Sequence, residues 1–289
     1  MLSRSKPAAP APQTSRRRAL VLLLVAANLV PSASAQWIGK QTGCLADHIE
    51  ATPNRPTVSN TAHVTQYGVL EVEYGWDRQW PSYGLRQTST GGMLKFGMLC
   101  DIELAWVNTS FISQVDSSGT FRTPGDNAFG TQIRFHKQDH VVPSMSFAWG
   151  IKVPTASTHD GIGSGLVDTQ YTFGASEDIH DFTFDFNATR TFAGKPGGGF
   201  DTNQEFALAG SHPVYRTLGI SLEAWGDTKL NGDTPAFASS LGALTWTVIP
   251  RLVLDSGYEA GITSGGPHRH VFFGIVYSIA NLYQHHQPK

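Results

Sequence analysis

The sequence predicts an all-β fold, a single antiparallel transmembrane β-barrel of about twelve strands with both termini in the periplasm. Three observations lead to this prediction: an export signal at the N-terminus, segments in which apolar residues alternate with small or polar ones, and connections that are alternately long and short. The composition agrees, because charged residues make up 15% of the chain, against about 25% in typical soluble domains.

The N-terminus has the layout of a secretory signal peptide. Arg16–Arg18 precede the apolar run Ala19–Val30, and small residues follow at Ala33 and Ala35. This order of a basic region, an apolar region and an A-x-A site is typical of a signal peptide. We therefore predict that residues 1–35 are removed by cleavage after Ala35. The alternative is a single anchor helix, but the apolar run is short of the roughly 20 residues that a span needs.

The next segment, residues 36–66, is irregular and contains Pro53 and Pro56. We interpret it as a periplasmic N-terminal segment that leads into a barrel at residues 67–281. The chain after the last strand, including residues 282–289, is expected to be a solvated tail. Its neighbouring His285 and His286 are interpreted as solvated residues rather than as a metal site.

Segments of period two dominate the rest of the chain, as expected for strands with one apolar face. The predicted strands are Gly68–Trp76, Gly92–Met98, Ile102–Asn108, Ala128–His136, Ser144–Val153, Leu166–Phe173, Phe182–Arg190, Asn203–Gly210, Thr217–Trp225, Phe237–Thr247, Arg251–Ala260 and His270–Ile279.

The apolar face of these strands is predicted to contact lipid. In Ser144–Val153 every second residue is apolar, whereas the residues between are small or polar. A soluble sandwich would carry more charge on its water-facing side, whereas small polar residues fit a narrow or plugged barrel lumen. The predicted lipid-facing residues are Met145, Phe147, Trp149, Ile151, Val271, Phe273, Ile275 and Tyr277.

The connections favour a transmembrane barrel. Tight links are predicted at Leu99–Asp101 and Val248–Pro250, and long links at Asp77–Gly91, Thr109–Asn127 and Thr191–Thr202. Transmembrane barrels combine short periplasmic turns with longer extracellular loops, whereas a sandwich has no reason to sort its connections in this way.

The opposite faces of the strands carry a set of charges that would line the lumen, with Lys152 and Arg134 as expected partners for the acidic members. Charges enclosed in a lumen must be paired or hydrated. Two interpretations stay open: an acidic, cation-tolerant selectivity lining, or a salt-bridged plug that closes the barrel. The candidates are Glu71, Glu73, Lys95, Glu103, Arg134, Lys152, Asp168, Asp185, Glu223, Asp255 and Glu259.

The two cysteines are predicted to lie on the same side of the membrane. Cys44 is in the N-terminal segment and Cys100 is in a tight turn that the topology places in the periplasm. Because this compartment is oxidising, the two residues can form a disulfide. The alternative is two free thiols.

Four stretches carry a resemblance to a known family: Thr52–Asn60 (TPNRPTVSN), Phe96–Trp106 (FGMLCDIELAW), Trp149–Thr155 (WGIKVPT) and Phe272–Ile279 (FFGIVYSI). Over about Thr52–Ile279 the chain resembles the outer-membrane β-barrel family of the meta-pathway of phenol degradation, whose members are described as outer-membrane transporters. The resemblance implies a barrel that passes small, often hydrophobic or aromatic compounds, and it supplies no binding residues. Cys100 departs from the family, which more usually has a polar residue in this turn.

The sequence shows no pattern that predicts catalysis. The segment Gly161–Gly165 contains a serine between glycines, but its spacing differs from that of a nucleophile elbow. No cysteine and histidine cluster has zinc spacing, and we predict no metal, no cofactor and no enzymatic activity. The net charge of -2 gives no support for a nucleic-acid partner.

The predicted function is therefore that of a channel or facilitator for small molecules in the outer membrane of a Gram-negative bacterium. The expected partners are outer-membrane lipid, the barrel assembly machinery and a small permeant that the sequence does not identify. The alternatives are a closed structural or adhesive barrel and, less favoured, an outer-membrane lipid hydrolase.

Overall fold

The structure, a computed structural model, describes residues 44–81, 86–115, 119–158, 162–232 and 234–283. The described residues belong to one compact unit, Gly43–Lys289. The predicted signal peptide and the histidine pair of the tail lie outside the described residues. Within these ranges, no helix is both long enough and apolar enough to cross a membrane.

The fold consists of antiparallel strands. Their bounds are β1 Val69–Pro81, β2 Arg86–Leu99, β3 Ile102–Val115, β4 Thr120–Thr123, β5 Asn127–His136, β6 Ser144–Val153, β7 Asp168–Ile179, β8 Phe182–Gly194, β9 Phe200–Tyr215, β10 Leu218–Asp227, β11 Phe237–Ile249, β12 Leu252–Gly261 and β13 Pro267–Asn281.

Twelve of these strands close into a barrel. Neighbours in sequence are hydrogen-bonded neighbours in the sheet, β1 pairs with both β2 and β13, and β2 also pairs with β3. The short β4 pairs only with the last residues of β3, and β5 takes the next place in the wall beside β3. The predicted twelve-stranded antiparallel barrel is confirmed. Closure pairs the backbone groups that an edge strand would expose.

The two ends of the barrel differ in their connections. One end, called here the tight-turn end, holds the start of β1, the end of β13 and four two-residue turns, at 100–101, 180–181, 216–217 and 250–251. The other, called here the long-loop end, includes the connections 154–167 and 228–236. The alternation of connections that the sequence predicts therefore appears in the structure.

The wall has an apolar outer face and a small, polar inner face. In β6, Ser144 and Ser146 are buried, whereas Phe147 and Trp149 are 43% and 40% exposed on the outside. In β13, Phe273 is 57% exposed, whereas Val276 and Ser278 are completely buried. The eight predicted lipid-facing residues all lie on this outer face; their contact with lipid stays a prediction.

Several strands continue well beyond their predicted ends. β2 begins at Arg86 rather than Gly92, and β3 ends at Val115 rather than Asn108. The added part of β2, RQTSTG, contains no apolar residue. Backbone hydrogen bonds between strands do not require apolar side chains, so the hydrophobic period marks only part of each strand. Two of the long links predicted from sequence are therefore mostly strand.

The N-terminal segment differs from the sequence prediction. Residues 36–66 were expected to lie outside the barrel, but the structure places Ala51–Thr65 against the inner wall. The physical reason is that inward-facing carboxylates accept hydrogen bonds from the backbone of this segment.

The beginning of the tail also differs from the expectation. Ala280 and Asn281 belong to β13, and the ring of Tyr283 packs against those of Tyr67 and Phe96, with centroids 4.8 and 5.6 Å apart. The hydroxyl of Tyr283 donates to the carbonyl oxygen of Met98 at 3.2 Å. The chain is therefore docked as far as Tyr283 rather than solvated from residue 282 onwards.

Candidate functional site

The lumen contains a segment of the chain itself, Ala51–Thr65, called here the inner strap. It enters at the tight-turn end, where the Ala51 N–H donates to the carbonyl of Pro250 at 2.9 Å. Its partners then lie on β1, β12, β10, β8, β7, β5 and β3 in turn. Because this order follows the strands around the barrel, the strap makes one lap of the inner wall.

The backbone of the strap is bound mainly by carboxylates. An extended segment without a strand partner leaves its N–H groups unpaired, and such groups are costly to bury. Glutamates of β1, β3 and β10 supply the acceptors. The hydrogen bonds are Thr52 N to Glu71 at 2.8 Å, Asn54 N and Arg55 N to Glu73 at 2.9 and 3.2 Å, Val58 N and Ser59 N to Glu223 at 2.7 Å each, and Thr65 N to Glu103 at 2.7 Å.

Neutral side chains hold the part of the strap between these glutamate contacts. The amide of Asn187 is bonded on both sides to Asn60: its oxygen accepts the N–H at 2.7 Å and its nitrogen donates to the carbonyl at 2.9 Å. Gln132 donates to the carbonyls of Thr61 and His63 at 2.9 and 3.0 Å. Ser176 accepts the N–H of Ala62 at 2.7 Å. The lumen therefore fixes the strap at nearly every step.

Lys95 is the charged centre of the strap site. It is completely buried, with its ammonium nitrogen 2.8 Å from Glu71 and 2.6 Å from Glu73, and it also donates to the carbonyl of Thr52. One lysine thus faces two carboxylates, and strap N–H groups supply further positive partial charge. Such a buried group is stable only while every member keeps its partners.

Arg55 reaches from the strap into a space made by glycines. Its guanidinium binds Asp255 through two hydrogen bonds of 3.0 and 2.9 Å. A Cβ atom at Gly75 or Gly274 would lie 2.7 or 2.3 Å from the guanidinium. These glycines are neighbours on β1 and β13, so the wall is thinned where the arginine docks. The bidentate geometry is the strong form of an ion pair.

The eleven predicted lumen charges all project to the inside, and eight of them are at most 9% exposed. The structure does not pair the acidic members with Lys152 and Arg134 in the way that the sequence analysis expects. Lys152 binds one of them, Asp168, at 2.6 Å, and Arg134 binds Asp101, which is outside the predicted set. Most of the others bind the strap or Lys95, which the sequence analysis missed.

Lys152 marks the long-loop half of the lumen. Besides Asp168, its ammonium lies 3.3 Å from Asp126 in the connection before β5. Partial burial of Asp126 acts to raise its pKa, but hydrogen bonds from the N–H groups of Ala156 and Thr155, together with Lys152, hold that pKa below its usual value. Asp126 is therefore ionised at neutral pH, and Lys152 does not present an uncompensated positive charge.

A second polar chain lies across the lumen on β10, β12, β13 and β1. Trp225 donates to Glu259 at 3.0 Å, Glu259 lies 2.7 Å from Nδ1 of His270, and Nε2 of His270 lies 3.7 Å from Asp77. Ser89 donates to Asp77 and not to the histidine. This arrangement provides no serine and base pair of the kind that hydrolysis requires.

A cavity of about 360 Å³ borders the strap on the side of β2, β3 and β5–β7. Its lining combines strap side chains, small wall residues and polar groups, including Asn54, Asn60, Met93, Val107, Gln170 and Lys152. The described parts of the chain contain no cluster of three or more His, Cys, Asp or Glu side chains that could hold a metal ion. Because its lining combines apolar and polar side chains, the cavity can accommodate a small molecule that has both apolar and polar parts.

A disulfide joins the chain before the strap to the barrel. Cys44 is bonded to Cys100 in the turn between β2 and β3, with Cα atoms 5.6 Å apart. The described residues include no free cysteine. The strap is thus held covalently at both ends, through this bond and through its continuation into β1.

No family model matches the sequence, and no curated protein matches it. Among solved structures, an outer membrane channel from Pseudomonas putida F1 superposes with a TM-score of 0.60 at 10% identity, over 81% of this chain and 99% of that one. The NanC porin gives 0.49 at 10% identity, over 73% and 100% of the two chains. The CymD monoaromatic hydrocarbon channel gives 0.45 at 7% identity, over 75% and 90%.

The first of these likenesses defines the class of the fold. A twelve-stranded closed barrel with an apolar outer face, similar over almost the whole length of an outer membrane channel, has the fold of an outer-membrane β-barrel.

Proposed function

We propose that the protein is an outer-membrane channel for small molecules whose lumen is narrowed by the inner strap. The observation that carries the proposal is the polar lumen with its 360 Å³ cavity, enclosed by a closed wall whose outer face is apolar. Such a wall is stable in lipid because all its backbone groups are paired, and the polar inside can hold water and a solute. The export signal predicted from the sequence supports a location in the bacterial outer membrane.

The tight-turn end faces the periplasm in this proposal. Barrels of this class have short periplasmic turns and longer extracellular loops, and an even number of strands leaves both ends of the barrel chain on one side. The oxidising periplasm then contains the disulfide. Assembly by the barrel assembly machinery, cleavage after Ala35 and contact with outer-membrane lipid belong to the same proposal.

The permeant is proposed to be small, with a preference for cations or neutral molecules over anions. Eight of the eleven predicted lumen charges are acidic, and rings of carboxylates favour cations in channels. The sequence resemblance to the meta-pathway family supports hydrophobic or aromatic permeants. Met93 and Val107, which line the cavity together with Gln170, fit such a molecule if it also carries a polar group.

Planar lipid bilayers test the proposal. Purified protein in a KCl gradient should give small unitary currents with a reversal potential on the cation-selective side. Glu259→Gln should move the reversal potential towards zero, whereas Glu177→Gln in β7, near the tight turn at 180–181, is a control expected to leave it unchanged. Currents with anion selectivity would contradict the proposed lining.

A closed structural or adhesive barrel is the second candidate, and one observation favours it: the strap makes a full lap of the wall. In that case the wild-type protein would carry no current. A current would also be absent after the strap is loosened by Arg55→Ala, because the remaining wall contacts would still close the lumen. This pair of measurements separates the two functions.

A further inference from the structure

Two arginines contact Trp80 on the outer face of the barrel near the long-loop end, and a third lies on the neighbouring strand. The guanidinium carbons of Arg78 and Arg269 lie 5.0 and 5.5 Å from the centroid of the Trp80 ring. Arg269 is the cross-strand neighbour of Trp80, and Gln79 pairs with Gln87 on β2, so Arg86 occupies the next outward position on the other side. Arg78, Arg86, Arg269 and Trp80 are called here the arginine cluster.

Among the residues that the structure describes, none neutralises the charge of the cluster. None of its arginines forms a salt bridge with another described residue, and the nearest inward acid, Asp77, is engaged by Ser89 and lies near His270. The outward neighbours of Arg78 are Thr88 and Val271. The connection 82–85 has the sequence SYGL and contributes no carboxylate. Three positive charges therefore face away from the lumen without a counterion among the described residues.

The position of the cluster along the wall corresponds to the edge of a lipid bilayer. From Ile279 to Arg269 along β13 the chain advances ten residues, which is about 33 Å at roughly 3.3 Å per residue. A strand tilt of about 40° reduces this to about 25 Å, which is the height of the apolar band of such barrels. The outward residues between them, such as Phe273 and Ile275, are apolar and exposed.

Arginines at the opposite end are arranged differently. Arg251 lies over the ring of Tyr277 at 5.0 Å, and its guanidinium donates to the carbonyls of Ser278 and Ile279. Its hydrogen-bonding capacity is therefore partly used within the protein. By contrast, no side-chain hydrogen bond joins the arginines of the cluster at the long-loop end to another described residue, and the Nε of Arg78 is buried without a partner.

We propose that the arginine cluster binds the phosphate groups of the phosphorylated glycolipid that forms the outer leaflet of the outer membrane. Guanidinium groups bind phosphate oxygens bidentately, and tryptophan is favoured at the boundary between lipid and water. The proposal rests on the orientation given above, in which the long-loop end is extracellular. Bound glycolipid would anchor the β1, β2 and β13 face at a fixed depth in the membrane.

Native mass spectrometry of the full-length protein in detergent micelles tests the proposal, with diphosphoryl lipid A as the probe. The wild-type protein should retain the lipid, and the double variant Arg78→Gln with Arg269→Gln should bind it at least about tenfold more weakly. Arg216→Gln is the matched control, because Arg216 lies 5.2 Å from the Tyr215 ring at the opposite end. Its binding should match that of the wild type.

The heat-dependent gel shift of each variant establishes that its barrel is folded. Replacement of Arg78 and Arg269 by lysine keeps the charge and should restore part of the binding. Equal binding by the wild type and the glutamine double variant would overturn the proposal, as would equal loss in Arg216→Gln. Stronger retention of phosphatidylglycerol than of lipid A would also overturn it. None of these outcomes depends on whether the barrel conducts, so the result is separable from the proposed channel function.

Discussion

Lys95 links the barrel wall to the strap, because it binds two wall carboxylates and a strap carbonyl. Its ammonium is the only cation within salt-bridge distance of Glu71 and Glu73 among the described residues, and those carboxylates also accept hydrogen bonds from the strap. Removal of the lysine would leave two negative charges buried side by side. The residue thus couples the stability of the wall to the position of the strap.

We predict that Lys95→Met lowers the stability of the folded barrel by about 3–5 kcal/mol, the cost typical of breaking a buried ion pair from one side. Urea unfolding in detergent, followed by tryptophan fluorescence, measures the change. Lys195→Met is the control, because Lys195 forms an exposed pair with Asp201 and such pairs contribute about 0–1 kcal/mol. Equal effects of the two substitutions would show that Lys95 is not a buried ion-pair centre.

Gly274 leaves the space in which the guanidinium of Arg55 lies, and a larger residue there should displace it. A valine at this position would place its Cβ about where the guanidinium of Arg55 lies, so Gly274→Val should expel the arginine and raise the exposure of the strap to protease. Gly242→Ala is the control, since its added Cβ would meet only ordinary contact at 3.6 Å from Leu222. Limited proteolysis with a protease of broad specificity, with cleavage within residues 51–65 mapped by mass spectrometry, measures this exposure; resistance in both variants would contradict the docking.

The inward direction of individual charges could be predicted from the sequence because strand alternation alone decides it. The partners of these charges could not be predicted in the same way. The predicted lining contains eight acids and three bases, and this excess was itself a signal that other donors must be present. The donors are mostly backbone N–H groups of the strap, which carry no sequence signature.

At the scale of elements, the strap behaves as a closed loop rather than as a free N-terminus. The disulfide fixes it near Cys44, and the link through Tyr67 and Gly68 into β1 fixes its other end. A tether at both ends reduces the conformations open to a released strap and therefore favours the docked one. The disulfide thus stabilises the occupied lumen more than it stabilises the barrel wall.

We predict that Cys44→Ser with Cys100→Ser leaves the strands intact but increases the hydrogen exchange of strap amides by about tenfold or more, since local opening has a lower free energy. Mass-spectrometric exchange at residues 51–65 and in β9 reads the two effects separately. Exchange that increases equally in β9 would show that the bond stabilises the whole barrel. Unchanged exchange in both regions would show that the wall contacts alone hold the strap.

The position of the strap inside the barrel could not be predicted from the sequence. The segment TPNRPTVSN has neither the period of a strand nor that of a helix, so its pattern predicts only irregular structure. Whether irregular chain lies outside a barrel or inside it depends on acceptors that come from distant strands. Glu71, Glu103 and Glu223 come from distant strands, and only the assembled wall places their carboxylates along the path of the strap.

At the scale of the whole molecule, the architecture was predictable because a transmembrane wall imposes a simple rule. Each strand must be apolar on the outside, and the closed sheet must pair every backbone group. Segments such as Phe182–Arg190 and His270–Ile279 follow this rule clearly in the sequence. Strand ends were not predictable, because outside the apolar band the ladder continues through polar residues such as those of Arg86–Gly91.

The same rule gives a prediction about assembly. Trp149 is exposed on the outer face of β6, so Trp149→Asp should place a charge in the apolar band and reduce the amount of folded barrel. The expected cost is below the roughly 2–4 kcal/mol of a lysine or arginine at the bilayer midplane. Lys152→Gln faces the lumen side and should assemble normally. The heat-modifiable band on a denaturing gel measures folding. Normal assembly of Trp149→Asp would show that the inner and outer faces are assigned the wrong way round.

The central claim is that this barrel is a channel narrowed by its own strap, and single-channel recording tests it most directly. Wild-type protein in a planar bilayer should give a small, stable conductance. The variant Arg55→Ala with Glu223→Ala loses an ion pair and two backbone anchors of the strap, and its conductance should be several-fold higher with the gel shift unchanged. Equal conductance in the two proteins, or no conductance in either, would contradict the account.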